Sequence, residues 1–313
     1  MSRASQQRTA EDITPQLSAE LVATSRAGEY HQLTFRAPEV AELAQPGQFV
    51  ALAVGGDTSA NLLRRCFSIH KVSPGGPGDE SGTVDIVVAA RGPGTRWLTD
   101  LRVHDEVSII GPLGRGFPMP ADSATCVLVG GGYGSAPLFW LAEVLRERGC
   151  EVRLVLGAAT KDRLFGVDQS AEIESPAERG AGRATARVTI TTDDGSLGVK
   201  GWVSAVLPDV VSSSGAQVVY GCGPMAMLRS VTDIAAAHGA TAQVAVEESM
   251  ACGIGVCMTC VMPVTGDDGL TRMARSCVEG PVFPGDQIRW EAFERGRCLV
   301  PEDALGAAAM KGH

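Results

Sequence analysis

Four of the nine cysteines lie in one C-terminal stretch with the spacing of a metal-binding loop. Cys252, Cys257 and Cys260 follow the pattern C-x4-C-x2-C, and Cys277 comes after sixteen further residues. In plant-type iron–sulfur proteins this spacing wraps a loop around a [2Fe–2S] cluster, and a distant fourth thiolate completes the ligand set. The spacing therefore predicts that these four thiolates hold a [2Fe–2S] cluster.

Two glycines support this prediction, and three other interpretations compete with it. Gly253 and Gly255 would let the loop turn tightly and bring backbone N–H groups close to the sulfides. Zinc sites usually combine two C-x2-C pairs, whereas only Cys257 and Cys260 form such a pair here. A disulfide framework suits small secreted domains. Cysteines also often serve as small buried residues with no chemical role.

The composition predicts an ordinary soluble protein with two or three domains. The chain has 313 residues, of which 44% are hydrophobic and 20% charged. The net charge of -9 argues against a nucleic-acid partner, which usually needs a basic face. No run of apolar residues is long enough for a membrane span, and the polar N-terminus does not resemble a secretory signal. Together with thiolate ligands, these features indicate a cytoplasmic protein.

The N-terminal third has the pattern of a small all-β domain. Residues 1–15 are expected to form a disordered tail, and residues 16–118 an antiparallel β-barrel, because short β-branched segments alternate with Gly, Pro and Asp breakers. Residues 92–101 interrupt the strands with a glycine-rich turn and a short helix. The six predicted strands are Glu20–Ser25, His31–Arg36, Gln48–Val54, Cys66–His70, Thr83–Ala89 and Glu106–Ile110.

Two pieces of this domain could bind a flavin dinucleotide. Arg65, Phe67 and Ser68 would place a guanidinium, a flat ring and a hydroxyl along one strand, groups that suit a pyrophosphate and an isoalloxazine ring. Gly94 and Thr95 could present backbone N–H groups and a hydroxyl to phosphate at a helix start. The alternatives are a barrel strand with an exposed arginine and a plain hairpin turn.

Residues 119–247 change to a strand–turn–helix pattern, which predicts an open parallel sheet with covering helices. The first unit joins strand Thr125–Val129 to a helix from about Ala136 to Arg148, and strand Glu151–Leu156 follows. The glycine turn between them could admit a pyrophosphate, although its spacing is not a clean G-x-G-x-x-G and an ordinary tight connection is the alternative. Its glycines are Gly130, Gly131, Gly132 and Gly134.

A later unit places three residues where nucleotides bind in such sheets. Cys222 is predicted at the C-terminal end of a strand, followed by Gly223 and by Pro224 at the first helical position. Cys222 could equally be a small buried residue. Asp193 and Asp194 are interpreted as turn residues, and residues 165–186 as an irregular polar excursion of this domain.

Together these motifs resemble the electron-transfer subunits of two-subunit dihydroorotate dehydrogenases, a branch of the ferredoxin–NADP reductase superfamily. The resemblance runs from about Leu17 to Gln287. It is carried by RRCFSI and GPGT as flavin motifs, GGGYGSAPL and YGCGPMAML as dinucleotide motifs, TDDGSLGVKG as an accompanying loop, and ESMACGIGVCMTCV with SCVEGPVF as the cluster motif. Cys66 departs from the usual Pro, the interval before Cys277 is slightly long, and both tails are extended.

The resemblance implies a fold and a set of site residues. It implies a FAD-binding barrel, a Rossmann-like NAD-binding domain, a cluster domain over residues 248–293 and a tail over residues 294–313. The implied FAD contacts are Arg65, Cys66, Phe67, Ser68, Val87, Val88, Ala89, Gly94 and Thr95. The implied NAD contacts are Gly130, Gly131, Gly132, Gly134, Cys222, Gly223 and Pro224, and the implied cluster ligands are Cys252, Cys257, Cys260 and Cys277.

It also implies an activity and a partner. The chain would move electrons between NAD(H), FAD and a [2Fe–2S] cluster, to or from an FMN-containing catalytic subunit in a hetero-oligomer, expected to be a heterotetramer, of pyrimidine biosynthesis. A related reductase module serving a hydrogenase, an oxygenase or a ferredoxin is the alternative, and a redox sensor without turnover is a third possibility. NADP is not excluded, because Lys161 and Arg163 could meet a 2′-phosphate while Asp162 would favour NAD.

Overall fold

A computed structural model describes residues 14–56, 59–75, 81–173, 187–294 and 297–305. The predicted N-terminal tail, apart from its last two residues, lies outside the described residues. So do residues 174–186 of the predicted excursion and the final eight residues of the predicted C-terminal tail.

The N-terminal part is a closed barrel of six antiparallel strands in the order β1-β2-β5-β4-β3-β6. The strands are β1 (Gln16–Ala27), β2 (Tyr30–Arg36), β3 (Phe49–Leu52), β4 (Arg65–Ser73), β5 (Thr83–Ala89) and β6 (Glu106–Leu113). The six predicted strands are all present; β5 has the predicted bounds, and the other five differ at one or both ends. The first is longer than predicted because its beginning pairs with β6 and its end with β2, which a hydrophobic pattern does not reveal.

Alternating residues of the strands fill the barrel. Phe35, Ile86 and Ile109 point inward and are fully buried, as the period of two in a strand requires. Two short helices complete the domain, α1 (Pro38–Leu43) and α2 (Pro93–Thr99). Leu98 of α2 is buried in the same core, so the helix that follows the glycine-rich turn is fixed against the barrel.

The central part is a parallel sheet with helices on both faces. Its first six strands are β7 (Thr125–Gly131), β8 (Glu151–Ala158), β9 (Val188–Thr192), β10 (Val199–Lys200), β11 (Val218–Cys222) and β12 (Thr241–Ala245). The covering helices are α3 (Ala136–Glu147), α4 (Val167–Ile173), α5 (Leu207–Ser214) and α6 (Met225–Ala237). Leu128 packs with α3 on one face, whereas Val127 and Val129 pack with α5 and α6 on the other.

The strand order places a crevice between β7 and β11. The strand order of the sheet is β10-β9-β8-β7-β11-β12. The chain therefore places β8, β9 and β10 successively on one side of β7, and then places β11 and β12 on the other side. Nucleotides bind outside the carboxyl ends of the strands where the order reverses in this way. The predicted glycine turn and the predicted Cys222 motif follow these two neighbouring strands.

Two local details differ from the sequence-based expectation. Gly130 and Gly131 are the last residues of β7, and a single 3₁₀ turn, Gly132–Ser135, connects them to α3. Pro224 precedes α6 as its N-cap, with ψ of 140°, and does not occupy the first helical position. Its extended backbone leaves Met225 as the residue that begins the helix.

The C-terminal part joins both preceding parts. It contains β13 (Val261–Thr265), β14 (Thr271–Arg275), β15 (Val282–Pro284), β16 (Phe293–Glu294) and β17 (Arg297–Cys298). The strand β15 pairs antiparallel with β12 and becomes the seventh strand of the sheet. Met262 and Trp290 are buried with residues of α6 and β12. The strand β13, which follows the cysteine-rich loop, is therefore packed against the central sheet domain.

Candidate functional site

The two predicted flavin motifs meet although they lie on different elements. Gly94, in the first turn of α2, faces the side chain of Arg65 at the start of β4. A Cβ at residue 94 would lie 3.2 Å from Nε and 3.4 Å from Cζ of Arg65, and 2.9 Å from Val54. The absence of a side chain at Gly94 therefore provides the space that the guanidinium of Arg65 occupies. The two flavin motifs form one continuous surface.

Hydrogen bonds order both motifs. The hydroxyl of Thr95 accepts from the N–H groups of Arg91 and Gly92, each at 2.9 Å. This fixes the turn before α2. Arg65 donates to the carbonyl of Leu63 at 2.7 Å, and the residue is only half buried. It is therefore placed at the edge of the barrel with part of its side chain open to a ligand.

The neighbouring Arg64 has a different role. It donates to the carbonyl of Ser108 at 2.8 Å and to the hydroxyl of the same residue at 3.0 Å. Burial lowers the pKa of Arg64 from its ordinary value. Of the two consecutive arginines, Arg64 ties the residue before β4 to β6, and Arg65 is the one available to a phosphate.

The remaining predicted flavin residues divide between the inside and outside of the barrel. Phe67 packs against the barrel core, and Ser68 is exposed. On β5, Val87 and Ala89 face outward and pack with residues of the central sheet domain. The side chain of Val88 is fully buried inside the barrel, which leaves only its backbone for a cofactor outside.

The two predicted nucleotide motifs touch at the carboxyl edge of the sheet. A Cβ on Gly134 would lie 2.8 Å from the carbonyl oxygen of Cys222 and from the Cα of Gly223. A Cβ on Gly131 would lie 2.8 Å from the ring of Pro224. Only glycine permits so close an approach of the two backbones. The edge thus presents peptide groups that a pyrophosphate could reach.

Two further glycines of the first motif shape the turn. A Cβ on Gly130 would lie 2.5 Å from that of Ser135. Gly132 has φ of +58°, in the left-handed region that favours glycine. The hydroxyl of Ser135 donates to the carbonyl of Gly132 at 2.8 Å, so a side chain in the turn reinforces the conformation that the glycines allow.

The structure adds residues to the cleft between barrel and sheet that sequence reasoning missed. The rings of Tyr30 and Tyr133 meet edge to face, with centroids 5.9 Å apart. Arg91 lies over the ring of Tyr133, its Cζ 5.0 Å from the centroid. Partial burial in the cleft raises the pKa of the Glu247 carboxyl, although the residue is still exposed to solvent. The positive charge of Arg91 partly offsets this rise in pKa.

Glu247 also influences Cys222. Burial raises the pKa of the Cys222 thiol well above its ordinary value, and the charge of Glu247 adds to that rise. Cys222 is 3% exposed, so it is a neutral, well-packed thiol. Tyr133 lies inside the glycine turn, so its position in that motif could have identified it, whereas nothing in the local pattern links Tyr30 or Glu247 to the cleft.

Lys161 and Arg163, the two basic residues that could bind a 2′-phosphate of NADP, have different surroundings. Arg163 pairs with Glu29 of the barrel, Nε to carboxylate at 3.3 Å. The backbone carbonyl of Asp162 accepts from the N–H of Glu29 at 3.1 Å. Lys161 is exposed. An acidic neighbour therefore already engages one of the two cations that a 2′-phosphate would need.

The cysteine-rich loop brings its thiols together in two pairs. Cys252 forms a hydrogen bond with Cys257, and Cys260 forms one with Cys277, while all four remain free thiols. Gly253 and Gly255 have φ of +72° and +85°, which few other residues adopt. Cys260 and Cys277 are each 2% exposed, whereas Cys257 is exposed to solvent.

Donors within the loop are placed to stabilise thiolates. The hydroxyl and backbone N–H of Thr259 bond to Cys257 and lower the pKa of its thiol to about 6. The N–H of Gly255 bonds to the sulfur of Cys277, although burial still raises the pKa of that thiol. Hydrogen bonds to sulfur are a recognised way in which proteins tune iron–sulfur centres.

The paired thiols fit a binuclear cluster better than a single ion. Each iron of a [2Fe–2S] cluster takes two protein ligands. The hydroxyl of Ser276, next to Cys277, is buried and has no partner among the described atoms. A sulfur-rich group would give that hydroxyl an acceptor.

The cysteine-rich loop rests directly on the barrel. Cys260 and Cys277 are buried together with Phe49, Ala51 and Leu113 of β3 and β6, and Cys66 of β4 packs against the same cluster. Burial, and next the charges of Cys252 and Cys260, raise the pKa of the Cys66 thiol to about 12. The strand that begins with Arg65 therefore also contacts the loop.

Comparisons with known proteins agree with this arrangement. Residues 247–289 match the family described as the iron–sulfur cluster binding domain of dihydroorotate dehydrogenase B, and residues 128–233 match the oxidoreductase NAD-binding domain. The electron transfer subunit of dihydroorotate dehydrogenase B (NAD(+)) from Desulforamulus reducens is 36% identical over 261 residues, covering 83% of this chain and 93% of that protein. The chain belongs to this family.

Other relatives extend the result. The corresponding subunit from Geobacillus thermodenitrificans is also 36% identical, over 82% of this chain and 92% of that protein. Among solved structures, an NADH-dependent reduced ferredoxin–NADP oxidoreductase is similar with a TM-score of 0.71 and 28% identity, over 87% of this chain and 90% of that one. The predicted family and the predicted fold class, barrel, NAD-binding domain and cluster domain, are confirmed.

Among the described residues, no helix has the length and apolar character that crossing a bilayer requires.

Proposed function

We propose that this chain is the electron-transfer subunit of an NAD-dependent dihydroorotate dehydrogenase. It would move electrons between NAD(H), FAD and a [2Fe–2S] cluster, and exchange them with an FMN-containing catalytic subunit that handles dihydroorotate in pyrimidine biosynthesis. The observation that carries the proposal is the position of β4. This strand begins at the flavin motif with Arg65 and contacts the cysteine-rich loop one residue later through Cys66.

The flavin would be held at the rim of the barrel. Arg65 would neutralise its pyrophosphate, with the N–H groups of the turn at Gly94 and Thr95 beside it. Phe67, Ser68 and the backbone of β5 would line the ring. When bound, FAD accepts a hydride and passes on single electrons, which an iron–sulfur centre can carry.

NAD(H) would lie at the crevice between β7 and β11. The close approach of Gly134 to Cys222 clears the backbone for the pyrophosphate. Cys222, Gly223 and Pro224 would form the wall on the nicotinamide side. We favour NAD over NADP because Glu29 engages Arg163. The buried thiol of Cys222 and the two tyrosines would exclude water from the site.

The four cysteines Cys252, Cys257, Cys260 and Cys277 would hold the cluster at the outer end of this path. Exposed apolar side chains surround the exposed Cys257: Ile254 is 48% exposed, Val256 74%, Met258 53% and Val278 38%. Apolar groups in such a patch mark an interaction surface. We assign this surface to the FMN-containing subunit, within a cytoplasmic hetero-oligomer, for which a heterotetramer is the expected form.

The first test is the cofactor content of the chain purified without oxygen. We expect flavin absorbance bands and about two irons and two sulfides per chain, with a [2Fe–2S] EPR signal after dithionite reduction. Flavin without iron would leave a simple flavin reductase, and zinc in place of iron would overturn the cluster assignment. Rapid NADH oxidation with an artificial acceptor would argue against a sensor that does not turn over.

The partner is tested by co-expression with the FMN-containing subunit. Co-purification and dihydroorotate-dependent reduction of NAD are expected, and Val256→Asp should abolish both while the EPR signal persists. Val103, also an exposed valine but on the barrel, provides the control Val103→Asp. Failure of the wild-type chain to co-purify with the FMN-containing subunit, or equal loss of co-purification in the Val256 and Val103 variants, would contradict the assignment.

A second candidate is a reductase module for another acceptor, such as a ferredoxin. It is favoured by the similarity to the NADH-dependent ferredoxin–NADP oxidoreductase structure. Reduction of a ferredoxin at a rate comparable to that of the FMN subunit would support it. Failure of ferredoxin to accept electrons, with transfer to the FMN subunit intact, would exclude it.

A further inference from the structure

A fifth thiol lies beside the four predicted cluster ligands, on a different element. Cys66 is the second residue of β4 and pairs with Ala51 of β3. Its sulfur lies 3.0 Å from the position that a Cβ would take on Gly253, inside the cysteine-rich loop. The half-buried thiol also interacts electrostatically with Cys252 and Cys260.

Apolar side chains of the barrel pack beside this thiol, and the charge of Arg65 also acts on it. The barrel residues packed with Cys260 and Cys277 are Phe49, Ala51, Ile110, Leu113 and Cys66. The first four have hydrocarbon side chains, so Cys66 is the one member of this barrel group that offers a donor. A dipole acts more strongly on a neighbouring charge where water is excluded.

We propose that the Cys66 thiol raises the reduction potential of the [2Fe–2S] cluster and thereby sets how readily electrons pass between flavin and cluster. A thiol is a weak S–H donor. Its dipole beside thiolate ligands favours the reduced cluster, which carries one more negative charge than the oxidised form. Cys66 is not a ligand of the cluster. It acts on the cluster only through the neighbouring thiolates that ligate it, so it is a positioning residue.

The position of Cys66 in β4 explains why its effect on the reduction potential of the cluster would matter for electron transfer. Arg65, Phe67 and Ser68 on the same strand belong to the flavin motif, so Cys66 lies where the two cofactor sites adjoin. A change of one side chain there alters the environment of the cluster without altering its four ligands. The inference rests on the proposed function, since it presupposes a cluster at Cys252, Cys257, Cys260 and Cys277.

The test compares Cys66→Ala with Cys66→Ser in the full chain. Both remove nearly the same volume, but serine retains a donor that is stronger than the thiol. In an anaerobic redox titration followed by the EPR signal of the reduced cluster, the alanine variant should shift to a more negative midpoint potential. The serine variant should stay at or above the wild-type potential. Cys298→Ala, at a half-buried thiol in β17, should leave the potential unchanged.

The outcomes separate this inference from the function on which it rests. Equal shifts in the serine and alanine variants would assign Cys66 to packing alone, and no shift in either would remove its role. If the alanine variant loses the cluster, Cys66→Thr and Cys66→Val form a second pair of equal shape and the same comparison decides. Absence of an iron–sulfur signal in the wild-type chain would overturn the cluster assignment itself.

Discussion

The side chain of Arg65 occupies space that Gly94 leaves open, its Nε 3.2 Å from where a Cβ on residue 94 would lie. The arginine begins β4 and the glycine lies in α2, so β5 separates them in sequence. Each of the two short flavin motifs is ambiguous alone. Their contact joins them into one surface, on which the guanidinium of Arg65 lies beside the start of α2. Such a surface suits a pyrophosphate.

Arg65→Ala should therefore weaken FAD binding without affecting the cluster. A hydrogen bond to a charged group contributes roughly 1.5–3 kcal/mol, so the Kd for FAD should rise about tenfold to a hundredfold. Flavin content after gel filtration and the EPR signal of the cluster measure the two effects. The matched control is Arg96→Ala, an exposed arginine on α2, and unchanged flavin content in the Arg65 variant would refute the assignment.

Gly134→Ala should impair the use of NADH. The added Cβ would lie 2.8 Å from the backbone of Cys222 and Gly223, which cannot move as a flexible side chain can. The turn that contains Gly134 and the backbone at Cys222 and Gly223 must move apart, and a displacement of this size costs on the order of tenfold to a hundredfold in rate. Stopped-flow reduction of the bound flavin by NADH measures this loss. Flavin and iron content should remain those of the wild type, and full activity in this variant would show that the nucleotide lies elsewhere.

Features encoded within one continuous stretch could be predicted from the sequence. The iron–sulfur domain, whose family model matches residues 247–289, follows from a local cysteine spacing, and the six barrel strands follow local alternation between breakers. The position of Cys222 at a strand end also follows from the order of strand, glycine and helix. Each of these depends on residues that are neighbours in the chain, so a pattern in the sequence is sufficient to identify them.

Features that join distant segments could not be predicted. The strand β15 enters the sheet beside β12, and nothing in Val282–Pro284 specifies that pairing. Tyr30, Arg91 and Glu247 come from three separate parts of the chain, and only the packing of barrel against sheet brings them to one cleft. The contact between Cys66 and Gly253 is of the same kind, since it depends on how the loop rests on the barrel.

Cys257→Ser should separate the two halves of electron transfer. Cys257 lies at the exposed end of the loop, so its loss should remove the cluster while the barrel and the sheet remain folded. NADH should still reduce the bound flavin at close to the wild-type rate, and transfer to the proposed FMN-containing subunit should fall below detection. Cys150→Ser, at a buried cysteine of the central domain, provides the comparison. Parallel loss of flavin in the Cys257 variant would mean that the cysteines serve to hold the fold.

His70 should make the stability of the barrel–sheet contact depend on pH. The residue is 2% exposed, and its Nδ1 lies 2.6 Å from the carbonyl oxygen of Ala136 at the start of α3. Burial lowers the pKa of His70 below the ordinary value of 6.5, and the bond to Ala136 offsets this only in part. Asp85 and Glu143 oppose the lowering, whereas Lys71 adds to it.

The sign of the effect follows from which state takes up the proton. The unfolded chain binds a proton at this histidine near pH 6.5, while the folded chain resists it until lower pH. Stability is therefore full above that pH and declines as the pH falls below it, by at most about 1.4 kcal/mol per pH unit. The Tm of wild type should fall more steeply between pH 7.5 and 5.5 than that of His70→Asn. His238→Asn, at an exposed histidine, should keep the wild-type slope. Equal slopes in wild type and His70→Asn would show that His70 does not control the contact.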